Sequence, residues 1–250
     1  MVSEEAISTS LGVAGNITAV TLFLSTVPTF YGIWKRKSVE QYSPMPYLAS
    51  FFNCGLWVLY GMPFVHPNSM LVVTTNGAGL AIEFVFLLIF LKYSDSRKRL
   101  KVVLIWLLEI IVFVGLTLFV LILVHKTQKR STIVGSFGVA ANILMYASPL
   151  SVMKLVITTK SVEYMPFPLS LFCFLNGLCW FLYALFPFDP FIAVPNGIGG
   201  LLGILQLILY GTFYKSTKRM LAARKEKAEM GLAVMDSSIM NNGNVSKINP

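Results

Sequence analysis

Charge is scarce in this chain. Asp, Glu, Lys and Arg make up only 12% of its 250 residues, about half the share usual in a soluble domain. Apolar residues fill the gap, at 56% with a mean hydropathy of +0.72, so lipid is the solvent the sequence is written for. Histidine is limited to His66 and His125, in or near loops, and Cys54, Cys173 and Cys179 all fall inside apolar stretches. These shortages exclude a disulfide framework and a His/Cys metal site. No Gly-rich phosphate loop leads into a basic helix start, so no enzyme, metal or cofactor is expected. No cleavable leader is evident, because Glu4 and Glu5 run straight into an apolar span too long for a signal peptide. The formal charge of +9 sits in short basic runs between spans, not on one amphipathic face, which argues against a nucleic-acid partner.

Seven apolar stretches approach the roughly 20 residues needed to cross a bilayer. They are Ser8 to Ile33, Tyr47 to Met62, Met70 to Lys92, Val102 to Val124, Thr132 to Ile157, Pro168 to Phe186 and Phe191 to Phe213. Most basic runs fall on one side if the N-terminus is outside and the C-terminus cytosolic: Lys35 to Lys37, Arg97 to Lys101, Lys160 and the cluster from Lys215 to Lys227. Lys126, Lys129 and Arg130 disagree but are outnumbered.

The chain is written twice. A shift of 123 positions lays Gly12 on Gly135, Gly15 on Gly138, Lys37-Ser38-Val39-Glu40 on Lys160-Ser161-Val162-Glu163, Asn53 on Asn176, Trp57 on Trp180 and Tyr60 on Tyr183. After a loop three residues shorter in the second copy, Asn76-Gly77 matches Asn196-Gly197 and Gly79 matches Gly199. Each copy holds three spans, and three is odd, so the fourth span restores the orientation and makes the repeats parallel. The expected architecture is all-α and membrane-integral: residues 8–93, a linker helix at 100–124, residues 132–214, and a disordered cytosolic tail at 215–250. Transporters place their sites between such repeats; duplication that only stabilises a bundle is the plainer alternative.

Paired amides and indoles are what the interior offers. Asn53 and Trp57 share one helix face at a spacing of four, and Asn176 and Trp180 repeat the arrangement. An amide donates and accepts, as sugar hydroxyls do, and an indole offers a flat apolar face to a pyranose ring. Asn76 and Asn196 form a second pair, though each lies off the middle of its span. Interhelical bonding competes as a role for any one Asn, and interfacial anchoring for Trp. Glu83 and Glu109 lie inside spans, where a carboxyl is a candidate proton relay, but neither is duplicated. Pro28, Pro46, Pro149 and Pro166 each remove a backbone donor where a carrier bends, or where a helix is simply kinked.

The segments Ala147-Ser148-Pro149-Leu150-Ser151-Val152-Met153, Lys160 to Phe167, Val194-Pro195-Asn196-Gly197 and Gln206-Leu207-Ile208-Leu209-Tyr210 together resemble the plant SWEET sugar transporters (the MtN3/saliva family). The resemblance runs from about Gly12 to Tyr214. It implies seven helices in a three-plus-one-plus-three fold, bidirectional and energy-independent sugar movement, and homo- or hetero-oligomers with related transporters. It assigns sugar binding to Asn76, Asn196 and Trp180, with Trp57 and Asn53 as first-repeat counterparts and Asn176 completing the set, and hinges to Pro46, Pro149 and Pro166. The first hinge departs: Thr26 stands opposite Pro149, with Pro28 two residues on. The contexts of Asn53-Cys54 and Asp189-Pro190-Phe191 are similar to the glucose and fructose subgroup. The function expected is a plasma-membrane hexose uniporter; a proton-coupled amino-acid carrier is the alternative. Asn244-Val245-Ser246 fits a glycosylation triplet on the wrong side of the membrane, and Asn16-Ile17-Thr18 lies inside a span.

Overall fold

The computed structural model describes residues 3–245, with side chains described as far as Met230. Its regular elements are helices: α1 (Glu4–Leu24), α2 (Val27–Arg36), α3 (Met45–Gly61), α4 (Met70–Tyr93), α5 (Ser96–Leu118, with a π-wound end at Phe119–Leu123), α6 (Thr127–Met145), α7 (Ala147–Thr159), α8 (Phe167–Tyr183) and α9 (Pro190–Val245). With α1–α2 and α6–α7 each counted as one broken rod, seven rods form two parallel three-rod repeats joined by α5. Five rods are long and apolar enough to cross a membrane. The other two, α3 and α8, have 17 residues each, which at 1.5 Å per residue reach about 25 Å.

The expected single spans over Ser8–Ile33 and Thr132–Ile157 are each broken. Pro149 has no N–H to give the Met145 carbonyl, so the rod yields at Tyr146. In the first repeat Pro28 plays that part at the second position of α2. The Thr26 and Ser25 hydroxyls donate back to the carbonyls of Phe23 (2.8 Å) and Leu22 (2.6 Å). The breaks therefore fall within about one turn of each other in the repeat register, although Thr26 replaces a proline. Pro46 lies at the second position of α3 and Pro166 caps α8.

Within each repeat the third rod is central: α4 touches α1 and α3, and α9 touches α6 and α8. Between repeats the contacts cross over, α1 on α8 and α3 on α6, while α5 leans on α3. Six rods, in the order α1, α4, α3, α6, α9 and α8, thus surround one axis. We call the end carrying loops 62–69 and 184–189 the amino-terminal face and the other end the carboxy-terminal face.

The duplicated Lys-Ser-Val-Glu segments act as clips at the carboxy-terminal face. Lys37 and Lys160 end α2 and α7 in the left-handed conformation, at φ 57° and 55°. Lys37 Nζ then reaches the Tyr93 hydroxyl (3.2 Å), and Lys160 lies over the Phe213 ring, tying each half-helix to the third rod of its repeat. Val39 and Val162 plug inward, both buried. Each clip is held from further along the chain: Lys98 at the start of α5 donates to the Glu40 carbonyl in the first, and in the second the Val162 N–H donates to Thr217 Oγ1 (2.8 Å) and Arg224 pairs with Glu163 (3.1 Å), both from the extension of α9.

The disordered tail expected from Lys215 onward is instead helix as far as Val245; residues 246–250, including Ser246 of the glycosylation triplet, lie outside the described residues. Ala222, Ala223, Lys225, Glu226 and Lys227 are strong helix formers, and Lys225 faces Glu229 one turn on. Thr217→Val leaves the buried Val162 N–H without its acceptor and should destabilise the protein by about 1–3 kcal/mol. Arg224→Ala removes only an exposed pair and should cost less than about 1 kcal/mol. The thermal midpoints of both variants in detergent check the order.

Candidate functional site

Small residues on one repeat seat the aromatic rings of the other. A Cβ built on Gly15 would come within 2.8 Å of the Trp180 ring, and one on Gly138 within 3.1 Å of the Trp57 ring. One turn away the pattern repeats, Gly12 against Tyr183 and Gly135 against Tyr60. Both indoles are thereby buried at the repeat junction.

Beneath them lies a cavity of about 180 Å³. Asn53, Asn76, Asn176, Asn196, Trp57 and Trp180 all line it, so the structure brings together all six residues predicted to bind substrate. Asn76 and Asn196 are held alike, each Nδ2 donating to the carbonyl four residues back (Val72, 2.9 Å; Ile192, 2.8 Å). One N–H and the amide oxygen of each remain for a solute. Asn176 Oδ1 accepts from Thr18 Oγ1 (3.2 Å), while Asn53 Oδ1 has no partner. Among the described residues, no carboxylate, Lys, Arg or His lines this cavity. Glu83, on α4, is buried beside Ser50 and Cys54 of the cavity wall without itself lining the cavity, and Glu109 faces a separate apolar crevice beside Phe52 and Phe137. A larger crevice of about 530 Å³, lined mainly by Leu22, Leu24, Pro166, Pro168 and Leu169, offers a polar solute little. The hinge positions Pro28, Pro46, Pro149, Pro166 and Thr26 lie outside the 180 Å³ cavity.

Asn142 lines the cavity too and was not singled out in the sequence. Its repeat partner is Ala19, so a search for duplicated polar residues passes over it; the remaining signal is an amide inside a span. The amino-terminal face carries a second unanticipated feature. Tyr60 Oη donates to Asp189 Oδ2 (2.8 Å), the His66 ring stacks on Tyr60 at 4.7 Å, and His66 Nε2 stands 3.6 Å from the same carboxylate. Asp189 Oδ1 also caps α9 through the Phe191 N–H (2.9 Å). The repeats are thus latched above the cavity.

A polar cavity on the axis of a repeat-built helical bundle defines the class: a multi-pass membrane transporter. Residues 9–98 and 132–218 each match the family described as "Sugar efflux transporter for intercellular exchange" (MtN3). The chain is 52% identical over 240 residues to the bidirectional sugar transporter SWEET7 of Arabidopsis thaliana, covering 96% of this chain and 92% of the relative. It is 51% identical over 236 residues to SWEET4 of Oryza sativa subsp. indica, covering 94% and 91%. A eukaryotic SWEET transporter solved at 3.7 Å matches with a TM-score of 0.82 and 39% identity, over 85% of this chain and 99% of that one. The chain belongs to the MtN3/SWEET family.

An added methyl at Gly15 meets the Trp180 ring more closely than one at Gly138 meets Trp57. Gly15→Ala should therefore impair solute exchange in proteoliposomes more than Gly138→Ala at equal protein in the membrane.

Proposed function

We propose that this protein is a sugar uniporter of the plasma membrane, carrying hexoses such as glucose and fructose in either direction by exposing the cavity alternately to each side. The observation that carries the reading is the cavity wall: five asparagines and two indoles, with no charged side chain among the described residues. Amides match hydroxyls and the indoles match the apolar ring face. An uncharged lining gives no ion a counter-charge, so the sugar gradient sets the direction. The relatives named above as bidirectional sugar transporters support the solute class. Asn53 and Asn176, bulkier than Ser or Ala, narrow the cavity and favour a single ring.

The hinge role belongs to the breaks at Thr26–Pro28 and Tyr146–Pro149, with Pro46 and Pro166 at the rod entries. They let the carboxy-terminal halves swing while the latch at the other face opens. The positive-inside rule puts the carboxy-terminal face in the cytosol, and the family resemblance favours assembly with itself or with related transporters.

Counterflow of labelled glucose in proteoliposomes tests the reading. Asn76→Ala with Asn196→Ala should lower exchange about five- to 150-fold, since each loses a hydrogen bond worth about 0.5–1.5 kcal/mol. A protonophore should change nothing. Full exchange by the double variant removes the site, and collapse on adding protonophore makes the carrier proton-coupled. Asn53→Ser with Asn176→Ser should admit sucrose, read as labelled sucrose uptake that the parent lacks.

A further inference from the structure

The two repeats differ below the central cavity. On the second-repeat side a branch of about 220 Å³ continues toward the carboxy-terminal face, sharing Asn142, Asn176 and Asn196 with the central cavity and reaching Tyr146, Cys173 and Gln206. Gln206 lies ten residues beyond Asn196 on α9, roughly 15 Å along the helix. It is only 7% exposed, yet its side chain borders this open space. An amide so enclosed is costly unless something bonds it.

In the first repeat the same region is filled. Phe86 occupies the position equivalent to Gln206, and it stacks on Phe30 at 4.1 Å, with Tyr47 edge-on to Phe30 at 4.8 Å. Their second-repeat counterparts are Gln206, Met153 and Ser170, one aliphatic and two polar side chains in place of three rings. Gly79 is crowded, since a Cβ there would meet Phe23 at 2.4 Å. Its counterpart Gly199 is open, with Tyr146 no nearer than 3.4 Å. Tyr146 is drawn aside because its hydroxyl donates to the Pro195 carbonyl, a bond its counterpart Phe23 cannot make.

We infer that this branch is a second hydroxyl-binding subsite for the sugar, with the Gln206 amide as its ligand, so that the solute passes between cavity and carboxy-terminal face along the second repeat only. The inference rests on the sugar reading of the central cavity. Gln206 takes a hydroxyl after the asparagines release it, and the Tyr146 ring supplies the apolar wall. The aromatic plug of Phe30, Tyr47 and Phe86 keeps the first-repeat side shut.

Cys173, within the branch, is a built-in reporter. Its modification by membrane-permeant methyl methanethiosulfonate is followed by peptide mass spectrometry in proteoliposomes, alongside glucose exchange by the same preparation. D-glucose should slow labelling of Cys173 in the parent, and L-glucose should slow it less. In Gln206→Leu the D-glucose concentration for half-protection should rise about fivefold, the scale of one lost hydrogen bond, with a smaller rise in Gln206→Asn. A parent that exchanges D-glucose while Cys173 stays unprotected overturns the subsite. So does half-protection at the same concentration in Gln206→Leu, or in Gln206→Asn should the leucine variant fail to reach the membrane. A parent that exchanges no hexose overturns the sugar reading instead.

Discussion

Two indoles resting on two glycines hold the assembly together. In lipid, helices gain nothing by hiding apolar surface from each other, so close fit must bring the repeats together. Trp180 on Gly15 and Trp57 on Gly138 supply that fit reciprocally, each repeat lending a ring to a gap in the other. Neither repeat completes this contact alone. The cavity follows from it: the rings roof a space whose walls, α1, α3 and α4 from one half and α6, α8 and α9 from the other, carry the asparagines beside them.

Much of this was legible because duplication filters a sequence. Residues present in both copies, Asn53 and Asn176, Trp57 and Trp180, Asn76 and Asn196, all line one cavity, while the unduplicated Glu83 and Glu109 do not. The same filter hid Asn142, whose partner is Ala19, and Gln206, whose partner is Phe86. Hydropathy was equally blind to the breaks at Thr26 and Tyr146, since a bent rod is as apolar as a straight one. Composition misjudged the segment after Lys215, reading polar residues as disorder where alanines, lysines and glutamates favour helix. The Tyr60–Asp189 latch joins residues 129 positions apart, a pairing no local pattern announces.

The departures from symmetry have a common direction. The first repeat is packed with rings at its carboxy-terminal half, where Phe30, Leu48, Phe86 and Phe90 form one buried cluster. The second keeps a smaller cluster around Val156, Val162 and Met165. It leaves room for polar groups and recruits Thr217 and Arg224 to hold its clip. One half is built as a brace and the other as a passage. A strictly symmetric pair would make both halves yield alike; below the shared cavity, this pair assigns stiffness to the first repeat and solute contact to the second.

Alternating exposure of one shared cavity is the claim on which the functional account stands, and paired distances across the two faces test it most directly. Spin labels at exposed Asn68 and Phe188 report the amino-terminal face, and labels at Ser43 and Tyr164 report the carboxy-terminal face. With glucose present in reconstituted bilayers, the account predicts opposed changes: a population with one pair lengthened has the other shortened. Both pairs lengthening together, or neither responding to glucose in protein that exchanges it, would contradict the account.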